Sequence, residues 1–320
     1  MSQLHVYRTD AIVLRRQDFG EADRVLTLYS PWRGKFRAIA KGVRRPKSRL
    51  GGHVELFTHV NMLVAQGRNL DIVTQAETVR PFARIRDDLW KTSYACYVAE
   101  LVDRFTEEHL ENQPVFDLLL HALTYLDETE PGNAGAGRSV PASEDGPAAV
   151  ARGLVARPDA ASTTDAALPC TATHIREAGE AGSTVETAMR SFELQLLGHL
   201  GYAPELFHCV QCHERLAEGE NRFSPSGGGA ICPTCGATHP GARLISVNTI
   251  KAMRLMSREP FNVFRRLRLT PDQAQEVEGA LRAHINFILE RQLRTSEFLD
   301  RMKADRRRER RQAALTGANA

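Results

Sequence analysis

The sequence predicts an α+β multidomain chain in which a small N-terminal β-barrel precedes an all-helical domain with an embedded four-cysteine module. Three observations predict this. Residues 4–80 alternate short apolar segments with turn residues. After Pro81 the apolar residues recur every three or four positions. Two Cys-x-x-Cys pairs then interrupt the helical part.

In the first eighty residues, Tyr7–Leu14 and Arg24–Tyr29 read as strands, and the turn Ser30-Pro31-Trp32-Arg33-Gly34 leads to a third, Lys35–Lys41. His53–Val64 and Leu70–Ala76 follow, joined around Gln66-Gly67-Arg68-Asn69. Five short strands fit a closed barrel, with an OB-fold as the best reading and an SH3-like barrel sharing the strand count. This gives a domain at 1–80.

Residues 81–130 read as the first part of the helical domain. Asp87 is placed to cap a helix that carries Trp90, Tyr94, Tyr97, Val98, Leu101, Val102 and Phe105 on one side. Asn112 opens a second helix with an apolar face from Phe116 to Leu126. Residues 131–185 lack pattern and aromatics, and are rich in Ala, Gly, Pro, Ser and Thr, a composition that predicts a disordered insertion. Cys170 falls inside it and reads as a free thiol. The helical domain resumes over 186–303, where Gly201 is placed to end a helix and Thr270-Pro271-Asp272-Gln273 to start another. The last segment, 304–320, reads as a basic disordered tail.

No stretch of eighteen apolar residues is present, and the N-terminus lacks signal-peptide order, so a cytosolic protein is expected. Charge is uneven beneath a net of +3. Residues 1–80 hold 14 Lys/Arg against 7 Asp/Glu, residues 301–320 hold 7 against 2, and the remainder holds 21 against 30. A basic module, an acidic middle and a basic end suggest polyanion contact at the two ends.

Cys209-Val-Gln-Cys212 and Cys232-Pro-Thr-Cys235 have the spacing of two metal knuckles, and together they predict one structural Zn²⁺ per chain in a ribbon at 207–238. Four thiolates close the coordination shell, so the metal has no position open for catalysis. His208, His213 and His239 read as bystanders, and Gly236 as a residue for the tight turn. A redox reading of the Cys-x-x-Cys pairs needs a thioredoxin-like βαβ context, which the sequence lacks.

Lys35 to Leu50 packs seven cations and no acid into one stretch: Lys35, Arg37, Lys41, Arg44, Arg45, Lys47 and Arg49. Strand alternation turns Phe36, Ala38 and Ala40 inward and Lys35, Arg37 and Lys41 outward, and Pro46 makes the rest a loop. Clustered like charges repel unless a polyanion neutralises them, so these seven are the candidate nucleic-acid contacts; a solvated loop is the alternative. Tyr29, Trp32 and Phe57 are candidates for base stacking or for the barrel core. No phosphate-binding GxxxxGK[ST] loop, GxGxxG or GxSxG occurs, so an enzyme is not expected. The acids of Gly20–Arg24 read as turn residues paired with a neighbouring Arg.

The order of these motifs resembles one family. Gly20-Glu-Ala-Asp-Arg-Val-Leu-Thr-Leu28, Gly34-Lys-Phe-Arg-Ala-Ile-Ala-Lys-Gly-Val-Arg-Arg45 and Ser48-Arg-Leu50 resemble the N-terminal signature of RecO, the bacterial DNA repair and recombination mediator. Leu200-Gly-Tyr-Ala-Pro-Glu-Leu206, running into Cys209-x-x-Cys212, and Arg294-Thr-Ser-Glu-Phe-Leu299 resemble its central and C-terminal signatures. The resemblance covers about 1–128 and 185–303, leaving the insertion and the Arg-rich end as departures. It implies an OB-fold, a helical domain with a zinc ribbon, and binding of single- and double-stranded DNA with annealing of complementary strands. It further implies partnership with RecR and single-stranded-DNA-binding protein, loading of RecA, and a cytoplasmic, nucleoid-associated protein. Competing readings are a zinc-ribbon RNA-binding or transcription-associated module, a metal-dependent hydrolase, and a protein-binding scaffold.

Overall fold

A computed structural model describes residues 5–129, 184–259, 267–290 and 292–317. The expected insertion, with Cys170, lies outside the described residues except for its last two positions, which already belong to a helix.

Five strands form the N-terminal barrel: β1 (Val6–Phe19), β2 (Asp23–Ser30), β3 (Gly34–Ala40), β4 (His59–Ala65) and β5 (Asp71–Arg80). The barrel closes in the order β1-β2-β3-β5-β4. Strand β1 is long enough to pair twice, with β4 through Val6–Ile12 and with β2 through Ile12–Phe19. Strands β3 and β5 run parallel through Ala38↔Asp71 and Ile39↔Ile72. This crossover order is that of a Greek-key OB barrel, which decides against the SH3-like alternative. Alternation fills the interior with Ala11, Val13, Leu26, Leu28, Phe36, Ala38, Ala40, Val60, Met62, Val64 and Val73.

The opposite side of β1 and β2 is buried as well. Ile12, Leu14 and Tyr29, with Phe57, belong to the core of the helical domain. The expected strand from His53 is shorter, because residues 53–58 form a loop in which Phe57 takes φ 66°. Phe57 N–H donates to Val13 O (2.9 Å) and Val13 N–H to Thr58 O (3.2 Å), so the loop is laced to β1 and its Phe is turned into the core.

The helices are α1 (Ala83–Arg86), α2 (Leu89–Phe105), α3 (Gln113–Glu128) and α4 (Thr184–His199). Asp88, not Asp87, caps α2, its carboxylate accepting from the N–H groups of Trp90 and Lys91. Asn112 caps α3 as expected. After α4, Gly201 turns the chain at φ +81°. A three-stranded sheet, β6 (Asn221–Ser224), β7 (Gly229–Ile231) and β8 (Arg243–Ile245), carries the short α5 (Pro233–Gly236). The chain ends with α6 (Val247–Arg258), α7 (Pro271–Leu289) and α8 (Arg294–Gly317). Thr270 and Gln273 make a full capping box on α7.

The expected disordered tail at 304–320 is corrected over its described part, since α8 continues to Gly317. Arg, Ala, Gln and Glu favour helix here, and no Gly or Pro interrupts before 317. Tertiary contacts hold the start of this extension: the Arg306 guanidinium lies 4.9 Å from the centre of the Trp90 ring, and Ser93 donates to the Met302 sulfur.

A buried polar cluster joins α2, α4, α7 and α8. Glu193 is fully buried, accepts from the Tyr97 hydroxyl (2.6 Å) and pairs with Arg190 (3.0 Å). Lys303 pairs with Glu278 (2.9 Å), and Arg282 bridges Glu278 and Asp300. These pairs tie α2 to α4 through Tyr97 and Glu193, and α8 to α7 through Lys303 and Asp300.

Candidate nucleic-acid interface and metal centre

The seven predicted cations do not share one face. Gly34 and the alternation of β3 send Lys35 and Arg37 outward from the barrel, but outward here means towards the helical domain. Lys35 is only 12% exposed, donates to Asp103 O at the end of α2, and lies 3.3 Å from the Asp103 carboxylate. Arg37 pairs with Glu108 at 3.2 Å.

Beyond Ala40 the chain folds into a series of turns rather than a loose loop. Gly42, at φ +65°, donates to the Asp23 carboxylate (2.7 Å), and Arg44 N–H donates to Ala22 O (2.9 Å). Val43 and Val54 insert into the barrel core, with Leu50 packed against it. Pro46 fits because the turn uses the N–H groups of Arg45 and Ser48, not its own position.

Arg44 is occupied by this framework: it pairs with Asp18 at 3.5 Å and donates to Gly20 O. Asp18 also accepts from Arg24, and these two guanidinium groups hold its carboxyl below the ordinary range. Arg24 and Arg16 both reach Glu55, so the acids near the first turn serve to tie the 41–58 segment to β1 and β2. Lys41, Arg45, Lys47 and Arg49 remain: all four are exposed and make no ion pair among the described residues. They stand on one short, backbone-anchored loop, a preorganised cluster of positive charge.

Two of the three aromatic candidates are core. Tyr29 is fully buried, its hydroxyl reaching Asn112 O, and Phe57 is 1% exposed. Trp32 is 62% exposed but sits at the far end of β3 from Lys41. Seven strand residues separate them, about 23 Å at the usual rise.

The second site is the cysteine cluster. The four Sγ atoms of Cys209, Cys212, Cys232 and Cys235 all lie within 4.8 Å of one another, with Cys212 and Cys232 3.9 Å apart. A tetrahedral zinc with bonds of about 2.3 Å needs sulfurs about 3.8 Å apart, so the donor set and its spacing fit that ion. His213, at φ 63°, closes the first knuckle, its N–H donating to Cys209 O (2.9 Å). Cys232 caps α5, which presents Cys235. Gly236 has a different role from the expected tight turn: a Cβ there would lie 2.7 Å from the Arg222 side chain, so it is small for packing.

Burial pushes the Cys209 thiol up, but N–H groups of Cys212, Cys232 and Gln211 outweigh it and draw the thiol down to about 6. Cys235 is pushed up to about 12, first by its hydrogen bond with Cys232. His208, His213 and His239 lie outside the cluster. The ribbon is anchored to the helices through Phe223, Ala230 and Ile245 in the shared core, and by Arg254 donating to Leu206 O.

Among the described residues no helix is long and apolar enough to cross a membrane. Residues 1–82 match the family described as Recombination protein O N terminal, and residues 86–138 and 171–297 match Recombination protein O C terminal. A DNA repair protein RecO from Roseiflexus sp. (strain RS-1) is 37% identical over 295 residues, covering 92% of this chain and 85% of the relative. One from Dehalococcoides mccartyi (strain CBDB1) is 32% identical over 303 residues, covering 95% and 98%. One from Nocardioides sp. (strain ATCC BAA-499 / JS614) is 32% identical over 301 residues, covering 92% and 100%.

Proposed function

Since the chain belongs to the RecO family of DNA repair proteins, we propose that it binds single- and double-stranded DNA through its OB-like barrel and anneals complementary strands without nucleotide hydrolysis. One observation carries this reading: Lys41, Arg45, Lys47 and Arg49 crowd one anchored loop with no acid partner among the described residues. Clustered unpaired cations gain most from phosphate, because binding releases the counterions condensed on the nucleic acid. Contacts of this type hold the backbone without reading bases. By neutralising two strands at once, the loop lowers the repulsion that slows their pairing.

In this reading the Cys₄ cluster holds one structural Zn²⁺, which ties the two knuckles of the ribbon together. The protein acts in the cytoplasm on nucleoid DNA. It works with RecR and with single-stranded-DNA-binding protein, and promotes loading of RecA. No step needs an enzymatic centre on this chain.

The test is annealing of complementary oligonucleotides without nucleotide at two salt concentrations, with an RNA strand of the same sequence as competitor. Annealing should proceed without ATP and weaken steeply with salt. An inert protein overturns the annealing reading, and strong preference for RNA would favour the RNA-binding alternative.

A further inference from the structure

The connection between α2 and α3 lies against the strand that OB folds present to nucleic acid. OB folds bind oligonucleotides across the face of strands 2 and 3. Here the connection meets the start of β3 at a single bridge and then turns away at His109, φ 64°. Glu108 forms a parallel bridge with Lys35, and His109 N–H donates to Lys35 O (2.8 Å). Gly34 is packed so tightly under the connection that a Cβ would fall 1.9 Å from Leu110 O. Tyr29, the β2 residue paired with Lys35, is sealed beneath it with its hydroxyl on Asn112 O.

The chemistry of the connection matches its place. The segment Glu107-Glu108-His109-Leu110-Glu111 carries three exposed carboxylates, and Asp103 adds a fourth at the end of α2. Glu108 takes Arg37 and Asp103 takes Lys35, the two β3 cations that would otherwise face a ligand. A row of carboxylates set against a basic strand has the charge of the ligand this face would bind.

We propose that residues 103–111 are a built-in phosphate mimic, which occupies the β2–β3 face and competes with nucleic acid for Lys35 and Arg37. The resting protein then engages DNA only through the Lys41–Arg49 loop. A second set of contacts opens when a strand, at high local concentration, displaces the acids from β3. This inference rests on the DNA-binding reading above.

The experiment measures binding of a dye-labelled thymidine oligonucleotide over a range of salt concentrations. It compares wild type with Glu107→Gln/Glu108→Gln/Glu111→Gln and with a charge control on the ribbon, Glu214→Gln/Glu218→Gln/Glu220→Gln. The connector variant should bind roughly two- to fivefold more tightly, the scale of the one exposed ion pair, Arg37–Glu108, that it releases. Its salt slope should steepen by about 0.7 for each phosphate newly held. Adding Arg37→Gln to the connector variant should return the slope to that of wild type. An equal gain in the ribbon control, or an unchanged slope, overturns the proposal and leaves the DNA-binding reading standing. No binding by wild type sinks both.

Discussion

Replacing the four unpaired cations together, Lys41→Ala/Arg45→Ala/Lys47→Ala/Arg49→Ala, should flatten the salt dependence of DNA binding in a calculable way. All four are exposed, and the loop's shape depends on Asp23, the backbone and Val43 and Val54, which the substitutions leave alone. If each holds one phosphate, the slope of log affinity against log salt should fall by about 2.8 on a single strand and about 3.6 on a duplex. Between roughly 50 and 200 mM salt, those four contacts account for about 50-fold of the affinity a single strand loses. Arg44→Ala is the internal comparison. Asp18 already neutralises Arg44, so its loss should change the slope by well under the single-contact value of about 0.7. Fluorescence anisotropy with a labelled oligonucleotide reads the slopes, and circular dichroism checks that the barrel is intact. An unchanged slope in a folded quadruple variant, or an Arg44→Ala effect as large as a full contact, would falsify the division into free and occupied cations.

Three further outcomes test the framework around that loop. Purified protein should contain one zinc per chain, and Cys232→Ser or a strong chelator should release it and loosen the ribbon, read as faster amide exchange in residues 209–236; retained metal in the variant would refute the four-sulfur site. Gly34→Ala should cost about 1–3 kcal/mol for its left-handed backbone alone, with the Leu110 clash added, so a urea-midpoint shift no larger than that of Gly20→Ala, which has the same backbone in open space, would mean the connection is not docked on β3. Burial raises the Glu278 carboxyl, but Arg190, Lys303 and Arg282 more than reverse this and hold it below the ordinary range. Its contribution is therefore present above the unfolded value of about 4.3 and is lost as pH falls through the lower folded value. Glu193, raised by burial, has the opposite sign, so Glu278→Gln should shrink the fall in melting temperature between neutral and acidic pH; an undiminished fall would refute the pairing.

Local signals were enough to place several parts of the fold. Period-two alternation placed Phe36, Ala38 and Ala40 inside the barrel, and all three are fully buried. Two Cys-x-x-Cys turns specified a four-sulfur cluster, because three-residue spacing alone brings each pair together. Thr270 and Gln273 announced a helix start that depends on nothing farther than the first turn. Which charges are free depends instead on contacts between distant segments. Lys35 finds Asp103 across 68 residues, and Arg37 finds Glu108 in a connection whose docking depends on Gly34. Similarly, Tyr29 and Phe57 are core only because a second domain covers the barrel, and the end of the chain is helical where Trp90 and Ser93 receive α8. Formal charge is a property of a residue and can be read from its letter. Electrostatic availability is a property of its neighbours in space, and only the packing of the helical domain on β3 separates four open cations from three occupied ones.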